Sequence, residues 1–208
     1  MRRTAVIVGL AVVLGAAGAL GAAGAASSAV AQRRPAPARR DAGGGGGFWW
    51  GVGLAPGWAR VSCAICAAKR ADGISAFVGL GGTTSRSLRI GAEVNGWRHR
   101  DGNVTRTLTA VGAAAYWFPD RRRRLYLKGG AAFVTHRADD GTDVITASGI
   151  GPQMGIGYRY PFARMWTLAP FFHYTVGVFG GGVDFNGGQA ADRATVSFLQ
   201  LGVSLTRP

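Results

Sequence analysis

The sequence is short of charge, of cysteine and histidine, and, beyond its N-terminus, of long apolar runs. Charged residues make up 16% of its 208 residues while hydrophobic ones reach 48%. That balance excludes a disordered, highly charged chain. No apolar stretch past the N-terminus is long enough for a membrane helix, so any crossing of a bilayer must use strands. Acidic residues number 10 against 24 Lys and Arg, for a formal charge of +14. Such an excess suits nucleic acid or an anionic membrane. The basic residues are scattered over turns and loops, with no long basic helix or aromatic–basic motif, so no nucleic acid partner is expected.

With two cysteines and three histidines, metal and redox chemistry have little to draw on. Cys63-Ala64-Ile65-Cys66 lacks the βαβ context of a thioredoxin-like motif and the further ligands of a structural zinc site. It reads as a local disulfide in a loop of an exported chain, with free thiols or adventitious metal binding as the alternatives. No resident metal or cofactor is expected. Gly51-Val52-Gly53-Leu54-Ala55-Pro56-Gly57 has the wrong spacing for a dinucleotide loop, and no amphipathic helix follows. His99, His136 and His173 are well separated. His173 shares a face with Thr175, and Ser197 and Ser204 lie on a neighbouring strand, yet no spacing identifies a triad. The chain is therefore not expected to be an enzyme.

What is present begins with a processing segment. Arg2 and Arg3 precede the apolar stretch Ala5 to Leu20, and Ala29-Val30-Ala31 gives a small-x-small cleavage pattern. Residues 1–31 read as a signal peptide, with a retained anchor as the alternative, and Gln32 as the mature start. Residues 32–47 are rich in Arg, Pro and Gly and read as a flexible linker. Residues 48–208 form the remaining domain.

From Phe48 the apolar pattern takes period two, the strand signal. Eight segments carry it: 48–58, 73–82, 87–97, 105–118, 125–137, 144–160, 166–179 and 195–206. In the third, Leu88, Ile90, Ala92 and Val94 oppose Arg89, Glu93 and Asn95. In the sixth, Ile150, Met154, Ile156, Tyr158 and Tyr160 oppose Gly149, Gly151, Gln153, Gly155, Gly157 and Arg159. In the fourth, Leu108 and Val111 differ in parity, leaving its faces ambiguous. The second face carries Gly, Ala and Ser with isolated charges, where a solvated sheet would carry Thr, Lys and Glu. Glycine in a strand needs a reason such as crowding. The glycine-rich face therefore reads as the inside of a narrow barrel and the apolar face as lipid-exposed.

The connections agree. Thr83–Arg86, Arg98–Asn103, Pro119–Arg124, Asp139–Gly141 and Pro161–Met165 are short, whereas Ala59–Asp72 and Gly180–Arg193 are long. With the N-terminus in the periplasm, both long connections fall on the outer side. Trp49, Trp50, Trp58, Trp97, Tyr116, Trp117, Phe118, Tyr160 and Trp166 lie near strand ends, as interface girdles require. Arg121 to Arg124 forms a cationic turn, either simply solvated or in contact with anionic headgroups.

The run from Phe48 to Thr206, opening Phe48-Trp49-Trp50-Gly51-Val52-Gly53, resembles the small outer-membrane β-barrel superfamily of OmpA-type transmembrane domains, OmpX-like and opacity-type porin-like proteins. That resemblance implies an all-β, closed, up-and-down antiparallel barrel of eight strands in an outer membrane. It implies outer-membrane lipids and the barrel-assembly machinery as partners, and a monomer. The family's last strand ends in an aromatic residue read by that machinery. This chain departs from it, following Gln200-Leu201-Gly202-Val203-Ser204-Leu205 with Thr206-Arg207-Pro208.

Eight strands leave an interior that side chains can fill. Arg89, Glu93, Asn95, Lys128, Gln153, Arg159, His173 and Gln200 are the inward polar residues, expected to form a hydrated network centred on Glu93. The function this favours is a structural or surface-interaction role with a plugged lumen. A narrow porin-like channel and a lipid-modifying enzyme are the alternatives.

Overall fold

Alternating residues point to opposite faces of a strand, so eight alternating segments can bury one face only by curling the sheet on itself. The computed structural model describes residues 47–64, 66, 69–119 and 124–207. The proposed signal peptide, linker residues 32–46, Arg121 to Arg123 and Pro208 lie outside them.

The described chain is all β. The strands are β1 (Phe48–Cys63), β2 (Arg70–Ser85), β3 (Leu88–Asp101), β4 (Val104–Trp117), β5 (Leu125–Asp139), β6 (Val144–Tyr158), β7 (Tyr160–Ala163), β8 (Trp166–Gly177), β9 (Val183–Phe185), β10 (Gly188–Ala191) and β11 (Ala194–Arg207). Each strand from β1 to β5 pairs antiparallel with the next. β6 pairs with β8, β8 with β11, and β11 returns to β1, with Trp50 opposite Arg207 and Cys63 opposite Ala194. β7 extends β6 past Arg159 along β8. The result is a closed barrel of eight staves without a free edge. β9 and β10 form a small hairpin on the outer end of β6.

The strands run further outward than the apolar alternation suggests. The connection Arg98–Asn103 shrinks to a turn at Gly102 and Asn103, with Gly102 at φ +56°. Most of Ala59–Asp72 is paired strand, and Gly180–Arg193 contains the β9–β10 hairpin. Past the bilayer both faces of a strand meet water, so pairing continues after the hydrophobic pattern stops. A 16-residue strand spans about 53 Å. At the tilt of such barrels it rises about 40 Å, well above an apolar band of about 25 Å.

Outward side chains form that band. Leu54, Val78, Ile90, Val94, Val111, Phe133, Ile150, Met154, Phe172 and Leu201 are all exposed. A soluble protein would not display so continuous an apolar surface, and lipid must cover it. At the inner end Trp50, Trp117, Tyr158, Tyr160, Phe162 and Trp166 face outward, with Trp50 and Trp166 edge to face at 5.5 Å. Trp49, Trp97, Tyr116 and Phe118 do not join a girdle: all four point inward and are buried. Trp49 and Trp50 are neighbours on one strand and cannot both face lipid.

The fourth strand resolves its ambiguity without a bulge. Leu108 is inside at 1% exposure and Val111 outside. The parity conflict arose because the interior is itself largely apolar, with two buried clusters. One, around Trp97, Leu108, Val134, Val196 and Phe198, fills the outer half. The other, around Trp49, Phe77, Tyr116, Phe118, Tyr126 and Phe171, fills the inner half.

Candidate functional site

Between the two clusters lies a polar layer. β3 turns Glu93 and Asn95 inward, β5 Lys128, β6 Gln153, β8 His173 and β11 Gln200, and all six are buried. Glu93 (1% exposed) and Lys128 (5%) form an ion pair across the lumen. Glu93 Oε1 accepts no hydrogen bond from any described residue, so charge more than a network of donors holds the pair. Gln153 Nε2 donates to the carbonyls of Ala113 (2.9 Å) and Ala131 (3.4 Å). Gln200 Nε2 donates to Ser75 Oγ at 3.1 Å, and Ser75 Oγ donates to Ala55 O at 2.9 Å. Direct contacts in this layer are thus the ion pair, the Gln153 tethers to backbone carbonyls and the Gln200–Ser75–Ala55 chain.

Arg89 and Arg159 are not part of the Glu93 pair. They sit nearer the inner mouth, with their guanidinium carbons 5.5 and 4.1 Å from the centroid of the Phe118 ring. Sequence alone offers both Lys128 and Arg159 as partners for Glu93, since the choice depends on the stagger of closure.

Crowding accounts for the inward glycines. A Cβ on Gly53 would lie 2.2 Å from the Phe77 ring, and one on Gly151 would lie 1.9 Å from the Val176 carbonyl oxygen of the neighbouring strand. The first glycine makes room for a lumen side chain, and the second for the close approach of a bent stave.

The histidines pack against aromatic rings, His99 and His136 beside Trp97 and His173 beside Phe171 (4.3 Å) and Phe77 (5.7 Å), and neither His173 ring nitrogen has a hydrogen-bond partner among the described residues. Ser204 Oγ donates to the Ala169 carbonyl at 3.2 Å, and Ser197 faces outward. His99 stacks on Trp97 and its Nδ1 is hydrogen-bonded to the Asp72 carbonyl. Among the described residues no group of three His, Cys, Asp or Glu could hold a metal ion.

Above the outer cluster the lumen opens into a cup of about 530 Å³. Val61, Ile145, Val183 and Phe185 give it apolar walls, and Lys69 and Arg106 supply positive charge. The β9–β10 hairpin contributes Val183 and Phe185, which sequence reasoning missed because it read that stretch as open loop. Cys63 and Cys66 are joined by a disulfide beside the cup.

No protein-family model and no curated protein sequence matches the chain. Solved structures do. Neisserial surface protein A is 18% identical, with a TM-score of 0.55, over 79% of this chain and 98% of its own. The attachment invasion locus protein Ail of Yersinia pestis is 11% identical, with a TM-score of 0.45, over 76% and 97%. OprG from Pseudomonas aeruginosa is 9% identical, with a TM-score of 0.45, over 79% and 97%. The first shows the fold, and the lipid-facing belt independently shows what surrounds it. The chain has the eight-stranded closed-barrel fold of Neisserial surface protein A, with an apolar belt and an inner aromatic girdle that set the barrel across a bilayer.

Proposed function

We propose that this protein is a plugged, non-conducting and non-enzymatic outer-membrane barrel whose role is structural and whose outer end meets a surface ligand. The observation that carries this is the filled lumen. Two apolar clusters close it above and below the Glu93–Lys128 layer. Solute crossing the barrel would have to displace aromatic side chains and separate a buried ion pair, which costs several kcal/mol.

The outer cup supports the interaction role, being concave, mostly apolar and cationic, within the size range of small-molecule sites. At the opposite rim Arg124, Arg164 and Arg207 stand where anionic headgroups lie, supporting a lipid contact. The eight staves leave no edge among themselves for self-association, and among the described strands only the short β7 and β10 have a free side, which suits a monomer.

Single-channel recording of refolded protein in planar bilayers tests the reading. The expected result is no unitary conductance for the wild type. Steady, ion-selective openings would replace the plug with a narrow porin-like channel.

A further inference from the structure

Charge is segregated along the barrel. Every described aspartate (Asp72, Asp101, Asp139, Asp140, Asp143, Asp184 and Asp192) lies at the outer end, and Glu93 is mid-barrel and paired. The inner end carries Arg86, Arg89, Arg124, Arg159, Arg164 and Arg207, with no acid among the described residues there. Two of these arginines are not on the rim. Arg89, near the start of β3, and Arg159, between β6 and β7, turn into the mouth and line one small cavity of about 40 Å³. Neither has a carboxylate partner among the described residues.

Two half-buried guanidinium groups against one ring repel each other, and the Phe118 face offsets only part of that. Arg159 Nε is fully buried and has no acceptor among the described residues. A buried charged donor without an acceptor is costly, and native structures rarely leave one so. Hydroxyls of Thr167 and Thr206, cross-strand partners on β8 and β11, border the same cavity.

We propose that the inner mouth is a binding site for a phosphate-type oxyanion, held by Arg89 and Arg159. A guanidinium fork matches a phosphate edge, with two parallel N–H donors to two oxygens. An inorganic phosphate dianion carries the charge needed to neutralise both arginines, and a phosphodiester headgroup carries half of it. The cavity has room for about two or three waters, which fits a small oxyanion or the tip of a headgroup and excludes a nucleotide. The phosphate can come from a free ion or from an inner-leaflet phospholipid.

The experiment compares thermal unfolding of wild type, Arg89→Gln/Arg159→Gln and the rim control Arg164→Gln. One arm uses uncharged detergent with inorganic phosphate against chloride at equal ionic strength. The other uses phosphatidylglycerol vesicles in phosphate-free buffer. Phosphate-specific stabilisation in detergent, kept by Arg164→Gln and lost by the double variant, upholds the site with a free ion. The same pattern in the vesicles alone upholds it with a headgroup. No stabilisation of the wild type in either arm, or equal stabilisation of the double variant, overturns it. If the double variant does not fold, Arg159→Lys serves. It keeps the charge and removes the fork, and must weaken the phosphate response at least fivefold, and an unchanged response overturns the site.

Discussion

Removing the Glu93 carboxylate while keeping its shape, as in Glu93→Gln, tests the polar layer directly. The perturbation leaves Lys128, 5% exposed, as a buried cation facing a neutral amide. Asn95 Oδ1 and Gln153 Oε1 are buried acceptors without a donor among the described residues, but a neutral acceptor offsets only part of the cost of a buried charge. Breaking one side of a buried pair costs about 3–5 kcal/mol. With a urea slope of about 2 kcal/mol/M, the unfolding midpoint should fall by about 2 M. Replacing both partners, Glu93→Gln with Lys128→Met, removes the stranded charge as well. Such replacements are commonly neutral or stabilising by about 1–4 kcal/mol. The double variant should thus unfold close to the wild-type midpoint, with a coupling energy of several kcal/mol between the two sites. Urea titrations in lipid vesicles, followed by tryptophan fluorescence and by heat-modifiable gel mobility, supply the numbers. Additive losses in the double variant, or a Glu93→Gln midpoint equal to the wild type's, would refute the buried pair.

Gly53→Ala should destabilise the barrel by about 1–3 kcal/mol through the Phe77 ring, while outward Gly129→Ala, with nothing within 4 Å of the new Cβ, should not, and urea midpoints compare the two. Cys63→Ser/Cys66→Ser should leave barrel stability nearly unchanged, because the bond closes so short a loop; matching midpoints, and alkylation seen only after reduction, check this. In the outer turn, Asp140 Oδ1 accepts hydrogen bonds from the Thr142 and Asp143 amides at 2.9 and 2.7 Å, which hold its carboxyl below the usual range. A depressed folded-state pKa contributes order that is present above the ordinary carboxylate value and lost as pH falls through the depressed one. Amide protection at Thr142 and Asp143 should therefore drop in that acid window, and Asp140→Ala should abolish it at every pH.

The staves were legible in the sequence because period two survives wherever lipid lies on one side. Ile90 and Val94 against Glu93 and Asn95 could face only two ways, and the glycines chose between them. Three things were hidden. The first was the apolar interior: Leu108, Val134 and Phe198 pack against each other inside, so hydrophobicity alone marks both faces there. Strand parity at Trp49 and Trp50 carried the correction. The second was the partner of Glu93, since Lys128 and Arg159 are equivalent until the sheet closes and its stagger brings one across the lumen. The third was the outer extent of the strands. Arg98 to Asn103 looks like a loop because it is polar throughout, yet hydrogen bonding between β3 and β4 depends on backbone and continues to the turn.

That continued pairing changes what the cell exterior meets. A protease needs several residues of unpaired chain to thread its cleft, and connections rather than strands supply them. Here the β3–β4 and β5–β6 connections are tight turns, and the disulfide ties down the start of the β1–β2 connection. The segments flanking the β9–β10 hairpin, Gly180 to Gly182 and Asp192 to Arg193, lie outside any strand on the outer rim. A cut there would leave all eight staves paired. The barrel would outlast the cut in the membrane, its hairpin still attached on one side and paired to β6 through β9.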